Sequence, residues 1–375
     1  MSFDSVEAAF QEAVEQGVFP GAVVLVGRED EVVYQQAFGF RSLVPERTPM
    51  RIHTIFDLAS LTKPLATTLA VMLLVKERKV RLDDRVTRFF PTFGVFGKHT
   101  VSVRQLLSHT SGLAAWKPYY EEIVKAERAG RIHFVASRGA KSYVLEQIHR
   151  DRPVSVPGTQ SLYSDLGFMV LGQLVEELTG ATLDRFCQEQ IFRPLELRST
   201  SFVDLTQLRT RRLEPVVEMI APTENCPWRK KILCGEVHDD NAYAMGGVAG
   251  HAGLFSSAQD IHRLVSRLSR CYRGEDNFLP APLLREFLTR DGTVHDSSYA
   301  LGWDTPSGTQ SAAGSLFSPR SVGHLGFTGT SLWWDLDKNC HVILLSNRIH
   351  PTRKNERIRD FRPRIHDLIM KALFP

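Results

Sequence analysis

A serine and a lysine three residues apart are the first feature of this sequence that could carry covalent chemistry. Ser60 and Lys63 stand in the segment Ser60-Leu61-Thr62-Lys63, just before a long apolar run. Residues three apart share one face of a helix, so the lysine amine can reach the serine hydroxyl. Burial lowers the affinity of an ammonium for its proton, and the neutral amine can then accept the serine proton. The competing interpretation is an N-cap serine beside a solvated lysine.

A tyrosine in a turn-rich stretch is the second candidate. Tyr163-Ser164-Asp165 follows Pro157-Gly158-Thr159-Gln160 and precedes an apolar helical pattern. A phenol held near the start of a helix is well placed to relay protons. The competing interpretation is a half-buried tyrosine followed by Asp165 as the helix N-cap.

A glycine-rich segment near the C-terminus is the third candidate. Gly323-His324-Leu325-Gly326-Phe327-Thr328-Gly329-Thr330 precedes a strand pattern over residues 331–336. Glycines without a Cβ let a substrate approach backbone N–H groups closely. The segment is therefore a candidate for binding a polar reacting group.

In this chain order, the three motifs resemble those of the penicillin-recognising serine hydrolases, a superfamily of class C β-lactamases, D-Ala-D-Ala carboxypeptidases and related esterases. That superfamily is marked by Ser-x-x-Lys, then Tyr-x-Asn or Tyr-x-Ser, then Lys-Thr-Gly or His-x-Gly near the C-terminus. The resemblance extends over nearly the whole chain. It includes the segments Leu106–Leu113, Gly246–Ser256 and Gly329–Asp335.

The resemblance implies a role for each candidate. Ser60 would be the acylated nucleophile, Lys63 its base, and Tyr163 the relay that later activates water. The backbone N–H groups of Ser60 and Phe327 would form the oxyanion hole, because two donors must meet the oxygen that gains charge. The residues expected on the substrate-binding side of the pocket are Asp165, His324, Leu325 and Gly326.

Two departures from the family pattern bear on the substrate. Asp165 stands where the stricter pattern has Asn, and its charge would hold Lys63 as an ammonium. His324-Leu325-Gly326 lacks the cation and the hydroxyl of Lys-Thr-Gly, which in the family hold the carboxylate of penicillins and peptides. We therefore expect the pocket to favour esters or neutral amides, with Arg348 as the nearby cation that could substitute for the lost one.

Apolar patterns place strands at both ends of the chain. β-Branched and aromatic runs predict antiparallel strands at residues 22–27, 32–38, 331–336 and 340–346. Helical spacing predicts helices at residues 4–17, 65–80, 103–107, 141–149, 166–179, 184–190, 258–268 and 356–373.

These elements predict an α/β fold of the α+β type. An antiparallel sheet built from both chain ends would be flanked by the terminal helices, and a mainly helical domain would be inserted, as in the β-lactamase/transpeptidase arrangement. The expected bounds are 1–58 with 245–375 for the sheet domain and 59–244 for the helical domain. The cleft would lie between the two.

Composition excludes several classes of protein. The 375 residues are 43% hydrophobic and 23% charged, which excludes wholesale disorder, and a net charge of +4 gives no electrostatic case for a nucleic-acid partner. Five scattered cysteines without a C-x-x-C pair indicate reduced thiols. Residues 65–75 are too few for a membrane span, and no basic segment opens the chain. We expect a cytoplasmic protein, or a periplasmic or secreted one if the natural N-terminus is longer.

Four other polar or glycine-rich segments receive a structural interpretation. His109–Gly112 is interpreted as a turn, and the glycines of Gly246–Gly253 as a tightly packed loop rather than a phosphate cradle. His238-Asp239-Asp240 is interpreted as a solvated loop rather than a metal site. From Arg348 to Lys371 eight Lys/Arg face three Asp/Glu, which we interpret as the solvated outer side of the closing helix. No metal or cofactor is expected.

The main hypothesis is a serine hydrolase that forms a covalent acyl-enzyme with a small-molecule or peptide-like substrate. Esterase-like activity is favoured, with weak or no β-lactamase activity. The alternatives are a β-lactamase or D-amino-acid peptidase of the same fold, and a catalytically silent ligand-binding relative. Loops at residues 116–120 and 223–234 are expected to form the pocket walls. The sequence does not indicate the oligomeric state.

Overall fold

Strands from the two ends of the chain meet in one antiparallel sheet. The computed structural model describes residues 1–130, 133–211, 217–308 and 311–375. The strands are β1 (Gly21–Arg28), β2 (Glu31–Ser42), β3 (Thr48–Pro49), β4 (Phe56–Asp57), β5 (Ser201–Phe202), β6 (Asn225–Cys226), β7 (Lys231–Ile232), β8 (Leu254–Ser256), β9 (Val322–Leu325), β10 (Ser331–Asp335) and β11 (Cys340–Ser346). Six of them form the main sheet in the order β3-β2-β1-β11-β10-β9.

Helices surround this sheet and fill the middle of the chain. They are α1 (Asp4–Glu15), α2 (Leu69–Lys76), α3 (Val103–Leu107), α4 (Tyr119–Arg128), α5 (Arg138–Arg150), α6 (Asp165–Thr179), α7 (Leu183–Cys187), α8 (Leu205–Arg211), α9 (Asp240–Ala244), α10 (Ala258–Arg273), α11 (Ala281–Leu288) and α12 (Ile358–Leu373). A 3₁₀ turn at Ala59–Leu61 and a π-helical turn at Lys63–Thr68 lead into α2.

The central strand β1 is apolar on both faces because helices cover both sides of the sheet. Val23 and Leu25 belong to the large core that includes α2 and α6, whereas Val24 and Val26 belong to the smaller core under α1 and α12. This alternation follows from the two-residue repeat of a strand. It also fixes the pairing of β1 with β11, in which Leu25 lies opposite Ile343.

The predicted fold class is confirmed, and most predicted elements lie within a few residues of the observed ones. The prediction omits the helices α4 and α11 and the strand β9. Of these, β9 matters most for the site, because Val322–Leu325 pairs with β10 and places His324 opposite Leu332. The short apolar run and its glycine gave no strand pattern. The division into domains at residues 58/59 and 244/245 stays a prediction.

One interpretation of a charged segment is wrong, and another holds only in part. Of the eight Lys/Arg from Arg348 to Lys371, five are exposed, as interpreted: Lys354, Arg357, Arg359, Arg364 and Lys371. Arg348 and Arg362 do not belong to a solvated helix face, because they are only 7% and 6% exposed. His238-Asp239-Asp240 is not a solvated loop either, since His238 and Asp240 are buried. In both cases the charged groups pack inward, and the sequence pattern alone cannot distinguish a buried arginine from a solvated one.

The apolar stretch that ends with α2 is a core element. Residues Ala59–Lys76 have the length and composition to cross a membrane, but 83% of the stretch is buried inside the fold. The five cysteines are free thiols, as predicted. The glycine loop at 246–253 packs tightly, as predicted, since a Cβ on Gly250 would lie 2.0 Å from the Phe168 carbonyl oxygen.

Candidate active site

The backbone before Ser60 adopts an uncommon conformation that neighbouring side chains hold in place. Ala59 has a φ of +47°, which costs of order 1 kcal/mol or more for a residue with a Cβ. Asp57 accepts a 2.8 Å hydrogen bond from the Ala59 N–H, and Thr62 donates one of 2.7 Å to the Ala59 carbonyl. Ser60 therefore lies on a rigid turn that precedes the buried helix.

The side chains of Ser60, Lys63 and Tyr163 meet at one point. Lys63 Nζ lies 3.1 Å from Ser60 Oγ, and the Tyr163 hydroxyl donates a 2.8 Å hydrogen bond to the same oxygen. The N-cap interpretation of Ser60 is wrong, because within the described chain its hydroxyl bonds to these two groups and to no helix N–H. The three predicted catalytic residues are thus in direct contact.

Lys63 is fully buried and paired with a carboxylate. Its Nζ lies 2.7 Å from Asp165 Oδ1 and donates a 3.0 Å hydrogen bond to the His251 carbonyl. Burial lowers the pKa of Lys63, but Asp165 and Tyr163 raise it more, and the net direction is upward. The resting side chain is therefore an ammonium.

Tyr163 is held by the turn before α6 and by aromatic packing. Its ring lies 4.7 Å from that of His109, whose Nδ1 accepts a 3.0 Å hydrogen bond from the Ser164 N–H. Ser164, and not Asp165, caps α6 through a 3.3 Å bond from Gly167 N. Burial raises the pKa of Tyr163, which Lys63 partly offsets, so the resting side chain is a phenol.

His324 forms part of the opposite wall and is neutral. It lies on β9, 5.9 Å ring to ring from Tyr163, and its Nδ1 contacts the Leu325 carbonyl at 2.8 Å. Because a carbonyl only accepts, Nδ1 carries the proton and Nε2 is left as an acceptor. Burial and the neighbouring Lys63 charge lower the pKa of His324 to about 3. His324 therefore supplies no positive charge to the pocket at neutral pH.

The two N–H groups predicted to form an oxyanion hole belong to segments that are tied together. Thr328 Oγ1 donates a 2.7 Å hydrogen bond to the Asp57 carbonyl, and Thr330 Oγ1 donates one of 3.0 Å to the Leu58 carbonyl. Among the residues that the structure describes, neither the Ser60 N–H nor the Phe327 N–H donates a hydrogen bond to protein. Both remain available for a ligand.

A cavity of about 520 Å³ opens beside Ser60. Exposed Trp116 and Phe327 lie at its rim. Of the two predicted wall segments, 116–120 contributes Trp116, whereas 223–234 contributes no residue to the described lining. The remaining lining residues include Asp165, His238, Asp239, Asp240, His251, Tyr299, Asp304, His324, Leu325, Gly326, Arg348, Arg353 and Arg362.

The sequence pattern does not identify several residues of the site as functional. His109, interpreted only as part of a turn, packs against Tyr163. His251, from the glycine loop, supplies the carbonyl on Lys63, and its Nε2 lies 2.8 Å from Asp239 Oδ1. Arg362 comes from the closing helix. His109 and His251 lie in the segments 106–113 and 246–256 that carry the resemblance, whereas Arg362 belongs to no motif. The contacts of all three residues in the site follow only from the fold.

The described residues contain no group of three metal-capable side chains. In the segment 238–240, Asp239 bonds to His251, and Asp240 accepts hydrogen bonds from Trp228 and Arg229. The acidic side chains of the wall are therefore engaged with protein donors.

Comparison with known proteins agrees with this geometry. The Beta-lactamase family model matches residues 6–364. A protein of Escherichia coli strain K12, provisionally named D-alanyl-D-alanine carboxypeptidase, is 32% identical over 353 residues, which cover 88% of this chain and 79% of that protein.

Two solved structures share the fold. EstCE1, described as a hydrolase with promiscuous acyltransferase activity, is 23% identical with a TM-score of 0.68, and the match covers 96% of this chain and 98% of that one. An octameric penicillin-binding protein homologue from Pyrococcus abyssi is 20% identical with a TM-score of 0.71, over 100% of this chain and 77% of that one. With its serine, lysine and tyrosine in contact and a family match over nearly its whole length, the chain belongs to the Beta-lactamase family of serine hydrolases.

Proposed function

We propose that this protein hydrolyses esters through a covalent acyl-enzyme at Ser60. The observation that carries the proposal is the position of Ser60 Oγ, 3.1 Å from Lys63 Nζ and 2.8 Å from the Tyr163 hydroxyl, at the wall of a cavity. A hydroxyl between two titratable groups can give up its proton as it attacks, which is what a serine nucleophile requires.

The protonation state of the resting site defines the first step. Lys63 as an ammonium and Tyr163 as a phenol both donate to Ser60 Oγ, so neither can accept its proton. The two groups titrate as a coupled pair, and the active form is the one in which the pair has lost one proton. The pair then takes the Ser60 proton as Oγ bonds to the substrate carbonyl carbon, and delivers it to the leaving group.

Deacylation uses the same pair in the reverse sense. Once the leaving group has departed with the proton, the pair can accept a proton from a water molecule that attacks the acyl carbon. The oxygen of each tetrahedral intermediate would accept hydrogen bonds from the N–H groups of Ser60 and Phe327. Ser60 then regains its proton and the acid product leaves.

The wall opposite Ser60 supports esters as the substrate class. His324 is neutral and Leu325 is apolar, so this part of the cavity holds no charged partner for a carboxylate. Arg348 lines the same cavity, but its Nε donates to the Phe327 carbonyl at 2.9 Å and its Nη1 to the Asn355 carbonyl at 2.6 Å. With a further Nη1 contact to the Arg353 carbonyl at 3.3 Å, three of the five N–H groups of Arg348 are already engaged.

A D-amino-acid peptidase is the second candidate, and one observation favours it. Arg348 and Arg362 both line the cavity, and neither forms an ion pair with a carboxylate in the described part of the chain. Two such cations raise the local affinity for anions. The Escherichia coli relative, whose provisional name is a carboxypeptidase, gives the same indication by similarity.

Covalent labelling tests the proposal. Intact-mass spectrometry after treatment with a fluorophosphonate should show one adduct on the wild-type protein and none on Ser60→Ala. Turnover of a chromogenic short-chain ester should fall by several orders of magnitude in the same variant. Equal labelling or equal turnover in Ser60→Ala would remove Ser60 as the nucleophile and leave a silent ligand-binding relative as the better account.

A further inference from the structure

The turn that carries the Phe327 N–H has its carbonyls bonded from behind by two arginines. We call residues 326–330 the oxyanion turn. Within it Gly326 N donates to the Thr330 carbonyl at 2.7 Å, and Gly329 N to the Gly326 carbonyl at 3.1 Å. Gly326 is required here, because a Cβ would lie 2.0 Å from Thr330 Oγ1 and 2.5 Å from the Leu58 carbonyl oxygen.

Arg362 bridges the two ends of this turn. Its Nη2 donates hydrogen bonds of 3.0 Å to the Gly326 carbonyl and 2.8 Å to the Thr330 carbonyl. The side chain is only 6% exposed, and it comes from α12. Arg348 Nε donates to the next carbonyl, that of Phe327, at 2.9 Å. The guanidinium groups therefore contact successive peptide units of the turn.

The Gly326 carbonyl and the Phe327 N–H belong to the same peptide unit. A trans peptide is planar, and its C=O and N–H point in opposite directions. A donor that fixes the carbonyl from behind therefore also fixes the direction of the N–H. A charged donor on the carbonyl further polarises the amide, which makes its N–H a stronger donor to a negative oxygen.

The charge on Arg362 is not cancelled nearby. Neither Arg362 nor Arg348 has a carboxylate within ion-pair distance among the described residues, although Glu356 acts on Arg348 from farther away. Burial, followed by repulsion from Arg348 and Arg359, lowers the pKa of Arg362 to about 9, which still leaves it charged at neutral pH. Arg362 Nε is buried and has no hydrogen-bond partner in the part of the chain that the structure describes.

We propose that Arg362 is a positioning residue for the hydrolysis of esters: it orients and polarises the Gly326–Phe327 peptide so that the Phe327 N–H stabilises the oxyanion. Arg348 supports the following peptide in the same way. The inference rests on the proposed function, because it needs a reaction in which a carbonyl oxygen gains charge. It adds a role for Arg348 and Arg362, which contact the oxyanion turn and not the nucleophile.

The test compares an oxygen ester with its sulfur analogue. We would measure kcat and KM for p-nitrophenyl acetate and for the corresponding thionoacetate, whose sulfur is a poorer acceptor for the same N–H. The variants are Arg362→Gln, Arg362→Lys and Arg348→Gln. Arg364→Gln is the matched control, because Arg364 lies on the same helix, is exposed, and pairs with Glu12 at 3.0 Å.

A positioning role predicts a selective loss. Arg362→Gln should lower kcat for the oxygen ester roughly ten- to a hundred-fold, less than or equal to the loss of an oxyanion-hole donor itself, with KM little changed. The ratio of kcat for the oxygen ester to kcat for the thionoester should fall by a similar factor. Arg362→Lys should recover part of the lost kcat and part of the lost substrate ratio. Arg348→Gln should lower kcat and the substrate ratio less than Arg362→Gln does. Arg364→Gln should match the wild type.

Three results would overturn the inference. The first is a folded Arg362→Gln protein with the kcat and the substrate ratio of Arg364→Gln. If Arg362→Gln does not fold, unchanged ratios in both Arg362→Lys and Arg348→Gln would have the same effect. The third is a wild-type protein without Ser60-dependent ester turnover, which would overturn the proposed function together with this inference and is thereby distinguished from the other two.

Discussion

Two buried cations lie near Ser60, and they have different kinds of partner. Lys63 contacts the nucleophile at 3.1 Å and is paired with the Asp165 carboxylate at 2.7 Å. Arg362 contacts the oxyanion turn, and its partners among the described residues are two backbone carbonyls. Burial of a charge is costly in both cases, but a carboxylate compensates a full charge whereas carbonyl dipoles compensate part of one.

The difference matches what each cation can do in the reaction. Lys63 lies beside a carboxylate and a phenol, so the net charge of these three side chains together stays small before and after a proton is lost. Lys63 can therefore take part in proton transfer. An arginine keeps its proton, so its charge is a constant feature of the wall. The site therefore separates proton transfer, on the side of Lys63, from a fixed positive field on the side of Arg362.

Loss of the proton-transfer side should give the largest effect. Lys63→Met and Tyr163→Phe should each lower kcat for a chromogenic ester by about 10²–10⁴-fold, the usual contribution of a group that moves a proton in the transition state. Steady-state kinetics on the purified variants measures it. A change of less than threefold in either variant would show that the residue takes no part in proton transfer.

Lys63→Met needs a control for folding, because it leaves Asp165 without its buried partner. The double variant Lys63→Met with Asp165→Asn removes the unpaired charge. We expect the double variant to regain thermal stability relative to Lys63→Met and to remain equally inactive. Recovery of turnover along with stability would instead assign the loss to folding.

The same comparison explains what the sequence could predict. Ser60 and Lys63 are three residues apart, so their contact follows from local geometry, and Tyr163 was placed by a motif. Arg362 is 36 residues from Gly326 in the sequence and reaches it only because α12 packs against the sheet. Helical spacing places Arg362 on the buried face of α12 with Ile358 and Ile365, whereas Arg364 is exposed, but this spacing does not show which backbone groups the buried arginine contacts. Its role depends on tertiary contacts that no periodicity encodes.

Strand β9 shows a second limit of the sequence. Val322–Leu325 is short and contains a glycine, so it lacks the alternation that marks a strand. It is a strand because β10 supplies the pairing partner. The position of His324 in the pocket follows from that pairing. The order of the motifs predicts only that His324 belongs to the site.

A substitution at Asp165 changes the pKa of Lys63 without removing the lysine. The carboxylate raises the pKa of Lys63 against the lowering effect of burial. Asp165→Asn leaves burial and removes the opposing charge, so the pKa of Lys63 should fall. The active form, in which the Lys63–Tyr163 pair has lost a proton, is then reached at lower pH. We expect the acid limb of the kcat/KM profile to move to lower pH.

The pH profile of kcat/KM for a short-chain nitrophenyl ester measures this shift. Asp296→Asn is a suitable control, because Asp296 is exposed and lies outside the cavity lining. An acid limb that stays in place in Asp165→Asn, or moves to higher pH, would contradict the assignment of Lys63 as part of the titrating pair.

The smallest expected effect concerns the carboxylate of the substrate. A charge-assisted contact to a carboxylate contributes on the order of 1.5–3 kcal/mol, which is roughly ten- to a hundred-fold in binding. His324 is neutral because burial and Lys63 lower its pKa to about 3, so it does not supply that contact. Arg348 remains the cation that could do so. We therefore expect kcat/KM for a short-chain nitrophenyl ester to exceed that for a chromogenic cephalosporin on the same preparation. If the cephalosporin is the better substrate, and Arg348→Gln removes that advantage while ester turnover changes less, then Arg348 binds the carboxylate and the peptidase or β-lactamase alternative replaces the esterase.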